Sequence, residues 1–206
     1  MSKKEEKKEL LIRKVTELVE SNHGLVRTAQ LYELDIDYRR IQKLVEEGIL
    51  ERVKNGYYSI AFQEKDEESM VVRLFGDGVL CLESALFYYH YIQVKPSYWH
   101  IAVDKNTSKS RFKMDYPLVK PYYTEPDMLK LGAKKLQLKE GIIGIYDKER
   151  MICDCLKFEE KLEREIMQEA LRSYLREPIK DIQKLMEYAR ARRVVQKVQN
   201  RIGVWL

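Results

Sequence analysis

Apolar positions first recur at helical spacing at Leu11, Val15, Leu18 and Val19, which predicts a helix running to about Glu20. Ser21-Asn22-His23-Gly24 follows with stop-and-turn chemistry, and Thr28 is placed to cap a short second helix through Tyr32. A third helix has the clearest start. Asp37 can accept from the free amides of a first turn, and Ile36 and Ile41 stand at hydrophobic-staple spacing. Ile41, Leu44 and Val45 form its apolar face, and Gly48 supplies a left-handed stop. Ile49–Val53 and Tyr57–Ile60 then read as strands joined at Lys54-Asn55-Gly56, an Asn-Gly turn expected to hold both turn residues at positive φ.

Three short helices and a hairpin within the first 62 residues predict a winged helix-turn-helix domain. The polar run Gln63–Ser69 reads as a linker to a second domain spanning 70–206. In that domain Val71–Phe75, Trp99–Val103, Leu118–Tyr123 and Ile142–Tyr146 are strand-like, and Cys81–Tyr91 is expected to be helical. From Asp147 the pattern turns helical, with Leu162, Ile166, Ala170 and Tyr174 at intervals of four and Ile182, Leu185, Met186 and Ala189 after Pro178. The apolar phase slips at Arg190–Arg193, so the last helix is expected to kink or to be two pieces. The fold class is therefore α+β: a winged helix-turn-helix, then a mixed α+β domain ending in helices.

Composition narrows the classes. With 45% apolar and 34% charged residues over 206 positions, the chain can build a core and is too apolar for a disordered segment. No apolar run is long enough for a membrane span, and the charged start lacks an apolar signal region, so a cytoplasmic protein with no membrane partner is expected. Three cysteines, Cys81, Cys153 and Cys155, cannot all pair, which suits a reducing compartment. Enzymatic motifs are missing. His23, His90 and His100 fall in no nucleophile motif, and Gly76-Asp77-Gly78 has Cys81 where a dinucleotide fingerprint needs glycine. Cys153 and Cys155, two apart on a helix, diverge too far to share a metal and read as semi-buried. No catalytic residue, cofactor or metal is expected.

The basic residues offer more. With Ile41, Leu44 and Val45 inward, the helical step turns Tyr38, Arg39, Gln42 and Lys43 outward and leaves Arg40 at the boundary. Arginine and glutamine can bond base edges bidentately, and lysine can meet phosphate. Arg52, Lys54 and Asn55 lie on the hairpin, and Arg27 and Thr28 at the start of the second helix could hold another phosphate. Glu46, Glu47 and Glu51 dilute this patch, so a protein-binding adaptor stands beside the DNA reading. A second basic concentration, Lys184, Arg190, Arg192, Arg193, Lys197 and Arg201, could track a nucleic-acid backbone, meet an acidic protein, or be a solvated helix side.

The run Arg39–Ile60, RRIQKLVEEGILERVKNGYYSI, resembles the N-terminal winged helix of the AbiEi family of abortive-infection antitoxins. Later stretches are similar to that family in the same order: Val79–Leu86, Ile145–Asp154, Glu169-Ala170-Leu171, Tyr174-Leu175, and Leu185 with Tyr188-Ala189. Met151 stands where the family usually has threonine after Glu-Arg. The resemblance implies the antitoxin of a type IV toxin–antitoxin system. Its toxin would be nucleotidyltransferase-like, and its winged helix would repress the shared operon at inverted repeats in double-stranded DNA. A stand-alone regulator without an antitoxin role is the alternative. Glu149, in the first turn of a helix begun by Asp147, and the pair Arg150 and Asp154 at i, i+4 read as structural.

Overall fold

The computed structural model describes residues 3–63, 66–139 and 141–203. The chain divides into two compact units. One holds residues up to Leu74 with short stretches at 113–117 and 139–141; the other holds 75–112, 118–138 and the chain from Ile142 onward.

The first unit runs α1 (Lys3–Ser21), β1 (Val26–Arg27), α2 (Thr28–Tyr32), α3 (Tyr38–Glu46), β2 (Leu50–Lys54) and β3 (Tyr57–Ile60), with α4 (Glu67–Phe75) reaching its boundary. The strands form an antiparallel sheet in the order β1-β3-β2, with Val26 opposite Tyr58 and Leu50 opposite Ile60. Val15, Val19, Leu31, Ile41, Leu44 and Tyr58 are among the buried residues that fuse helices and sheet into one core. Each such side chain contributes about 1.5–3 kcal/mol of burial, so the core outweighs the weak propensities of its short helices.

Local chemistry sets the helix ends. Asp37 Oδ1 accepts from the Arg40 amide at 2.8 Å, and Ile36 and Ile41 are both buried, so the cap and staple form as expected. After α3 the Gly48 amide donates to Val45 and the Ile49 amide to Leu44, a Schellman stop with Gly48 at φ +67°. The same pair of bonds ends α1, but there His23, at φ 53°, takes the place that Gly48 holds after α3, and Gly24, at φ +81°, follows it.

The second unit contains a five-stranded mixed sheet. Its elements are β4 (Val79–Leu80), α5 (Leu82–Tyr88), β5 (Trp99–Asp104), β6 (Val119–Thr124), α6 (Pro126–Lys130), β7 (Ala133–Leu138), β8 (Gly141–Tyr146), α7 (Lys148–Lys157), α8 (Arg164–Arg176), α9 (Ile182–Arg192) and α10 (Val195–Arg201). The strand order is β6-β5-β4-β8-β7, with β4 antiparallel to β5, β4 parallel to β8 and β5 parallel to β6. Every residue of α7 from Glu149 to Leu156 is buried, because α5, α8, α9 and α10 all contact it.

Several expectations change. Val71–Phe75 is not a strand. Glu67 and Glu68 occupy the first turn of α4, and Met70, Val71, Leu74 and Phe75 are its buried stripe at i, i+1, i+4 and i+5, a helical period that a five-residue window hides. The end of the polar run is thus a helix start rather than a linker: the Met70 amide donates to Asp66, whose carboxylate also accepts from the Ser69 hydroxyl. Thr28 is the first residue of α2 and not its cap; its amide donates to Gly56 O at 3.0 Å, and the Arg27 amide is met by Gln30 Oε1 at 2.9 Å. In the hairpin only Gly56 has positive φ, at +79°, and the register shifts between Arg52 and Lys54, so a bulge supplies the twist expected from a two-residue primed turn. The break near Arg190–Arg193 is real. Arg193 is left-handed at φ 59° and separates α9 from α10.

Candidate nucleic-acid interface

The outer side of α3 follows from its inner side. Ile41 and Leu44 point into the core, so the 100° step exposes Tyr38, Arg39, Arg40 and Lys43. Arg39 and Arg40 have no side-chain partner among the described residues, and Lys43 only reaches Glu47 at 4.0 Å. Gln42 departs from the sequence expectation. It is half-buried, its Nε2 is shielded from solvent with no acceptor among the described residues, and it is not an outward-reaching group.

The hairpin tip is braced from three sides. Arg52 Nη2 donates to Asn55 Oδ1 at 2.6 Å, Lys54 Nζ lies 4.7 Å from the Tyr57 ring centroid, and the Arg27 guanidinium lies 5.7 Å from the same centroid. Tyr57 therefore gathers cations from β1 and β2, a role that no local motif announced. Behind it, Arg73 of α4 donates to the backbone oxygen and side chain of Asn22, and Gln30 Nε2 donates to Asn22 Oδ1 at 2.7 Å. Burial, with the Arg27 charge next, lowers the Arg73 pKa from its ordinary value.

Lys7, Lys8 and Leu11 of α1 line a groove of about 250 Å³ with Arg40, Lys43 and Leu44 of α3. Lys8 Nζ pairs with Glu47 at 3.0 Å, so Glu47 is held between Lys8 and Lys43 and subtracts less from the positive face than its charge suggests. Sequence reasoning missed these lysines because a charged chain start carries no positional signal of its own.

In the second unit the basic C-terminal residues do not form one exposed track. Arg192 is only 6% exposed, with Nε on Asp154 Oδ1 at 2.5 Å. Lys184 Nζ pairs with Asp147 at 2.7 Å; Lys197 reaches Glu159 at 2.9 Å and the Leu156 carbonyl at 3.0 Å; Arg201 lies 3.8 Å from Glu159. Arg190 and Arg193 alone of that set are exposed and unpaired among the described residues. Arg150 is buried as well, with Nε on Asp154 Oδ2 at 3.1 Å, Nη1 on the carbonyls of Met128 and Leu131, and its guanidinium 4.2 Å from the Tyr146 centroid. The i, i+4 pair exists as expected and is fully internal.

Nothing in the second unit resembles an activated nucleophile. Cys81, Cys153 and Cys155 are buried rather than semi-buried, and burial raises all three thiols, Cys153 to about 12. His100 lies 3.7 Å from Glu83, yet burial pushes it down to about 4 and raises Glu83, so at neutral pH the imidazole is uncharged and this contact is no ion pair. Among the described residues, no three His, Cys, Asp or Glu side chains converge as a metal site would require. Among them, too, no helix is long and apolar enough to cross a membrane.

No curated protein matches the chain. One family model does, over a segment that contains α2, α3 and the hairpin and the second half of α1, about a quarter of the chain. Over residues 13–61 the chain is similar to the family described as transcriptional regulator, AbiEi antitoxin.

Proposed function

We propose that the first unit is a winged helix that binds double-stranded DNA, and that the chain is the autorepressing antitoxin of an AbiE-like type IV system. The carrying observation is the exposed cationic side of α3, Arg39, Arg40 and Lys43, in the same unit as the hairpin tip and within the segment matched by an antitoxin regulator family. In this reading α3 enters the major groove, where Arg39 can donate bidentately to a guanine edge and Lys43 meets phosphate. Arg27, Arg52, Lys54 and Asn55 serve the hairpin's contact with the neighbouring backbone, with the Arg52–Asn55 bond holding the tip in shape. Inverted repeats at the chain's own promoter would then present two half-sites to two copies. The second unit would serve neutralisation of a nucleotidyltransferase-like toxin.

Fluorescence anisotropy of the full chain on its upstream DNA, against a scrambled duplex and across a salt series, tests the DNA-binding half. Specific binding that weakens steeply with salt supports it. Equal affinity for both duplexes, or no binding at low salt, refutes it and leaves the adaptor reading. Co-expression with the adjacent reading frame tests the antitoxin half: rescue of growth supports it, and unrelieved toxicity refutes it.

A further inference from the structure

The second unit holds a cavity of about 510 Å³ that the DNA-binding reading does not use. Its charge is unbalanced. Arg150 and Arg192 share one carboxylate, Asp154, which leaves that buried cluster with one excess positive charge. Lys157 and Arg193 add two more on the same wall and have no ion pair among the described residues, whereas Lys105 at the rim is offset by Glu125 at 2.7 Å. The Arg192 side chain is more than nine-tenths buried and lines the cavity, yet only its Nε is bonded among the described residues; its two terminal nitrogens have no partner there. A guanidinium bonded through Nε alone on a cavity wall leaves its two terminal nitrogens free to donate to a bound acceptor.

The field shows in Lys157, whose pKa is lowered first by burial and then by the Arg192 charge. A phosphate monoester, with about −1.5 to −2 charge at neutral pH and three acceptor oxygens, offsets more of that excess than a monovalent carboxylate does. The volume exceeds what a bare phosphate fills and falls in the range of about 300–1,000 Å³ usual for small-molecule sites. Tyr122, Tyr123 and Phe158 give the remaining wall an aromatic surface suited to a planar ring.

We propose that this cavity binds a phosphate-bearing small molecule of mononucleotide size, its phosphate held by Arg192, Arg193 and Lys157 and its ring against the aromatic wall. The site belongs to the second unit alone and stands whether or not α3 reads DNA.

Isothermal titration of the full chain with AMP, GMP, adenosine and pyrophosphate tests it, alongside a Lys157→Gln/Arg193→Gly double variant. Arg193→Gly suits the left-handed backbone, and both positions are exposed, so the variant is expected to fold, as a circular dichroism melt checks. The proposal predicts saturable binding of a mononucleotide, weakened at least about tenfold by loss of the phosphate in adenosine and by the double variant, as for lost charge-assisted bonds. No binding of either nucleotide at millimolar concentration overturns it, as does undiminished affinity in the folded double variant. Pyrophosphate binding as tightly as both nucleotides overturns the assignment of a ring-bearing ligand.

Discussion

Asp154 is bonded to both Arg150 and Arg192, and it is 3% exposed. Asp154→Ala would leave two arginines facing each other across a buried site. Arg150 keeps the Met128 and Leu131 carbonyls and the Tyr146 ring, but Arg192 loses its only hydrogen bond among the described residues. Removing one partner of a buried ionic cluster costs about 3–5 kcal/mol because the remaining charge is uncompensated. At roughly 2–4 °C per kcal/mol for a chain of this size, the second unit should melt about 6–20 °C lower. Arg192→Met is the opposite perturbation: it leaves Arg150 and Asp154 as a balanced pair and should cost less than about 2 kcal/mol. Fluorescence of Trp99, buried in the second unit, reports the transition once Trp205→Phe removes the other tryptophan. If Arg192→Met destabilises as much as Asp154→Ala, or Asp154→Ala costs less than about 1 kcal/mol, uncompensated charge does not set the stability of this cluster.

Other outcomes follow from buried groups and caps. His100 is held neutral with its pKa near 4 in the folded state, below the usual unfolded value of about 6.5, so the unfolded chain binds the extra proton between those values. Stability of the second unit should therefore be fully present above about pH 6.5 and fall as the pH drops toward 4, by up to about 3 kcal/mol; urea titrations at pH 7 and 4.5 on the parent and His100→Gln should show that fall shrinking in the variant. All three thiols should resist Ellman's reagent at pH 8 in the native protein and react together in denaturant, and fast reaction of any one without unfolding contradicts the buried positions. Asp37→Ala removes the cap bond to Arg40 and should cost about 1 kcal/mol in a urea melt of the first unit; an unchanged midpoint would show that the cap is not needed.

The parts legible in the sequence are those whose cause is local. Asp37, Ile36, Ile41 and Gly48 lie within thirteen residues of one another and state the start, face and end of α3 without reference to the rest of the chain. The hairpin is legible from Asn55-Gly56, whereas its bulge and the bond from the Thr28 amide to the Gly56 carbonyl, 28 positions away, are not. Longer-range causes stayed hidden. Val79-Leu80 becomes a strand only because β5 and β8 flank it, and Ala133–Leu138 has the exposed, lysine-containing pattern of a sheet edge. Arg192 looked like its exposed neighbours Arg190 and Arg193 because the acid that draws it inward, Asp154, is 38 positions away. Helical phase alone also put Gln42 on the outer face, where the packed structure half-buries it.

Whether the outer side of α3 reads DNA is measured most sharply by comparing Arg39→Ala with Lys43→Ala on the native upstream duplex, single-base variants of it and a scrambled duplex. Arg39→Ala should cost about 1–3 kcal/mol of specific affinity and relax the preference at one base pair. Lys43→Ala should weaken every duplex alike and reduce the salt slope by about 1. Two variants that bind as the parent does, with unchanged base preference and salt slope, would contradict a DNA-reading α3.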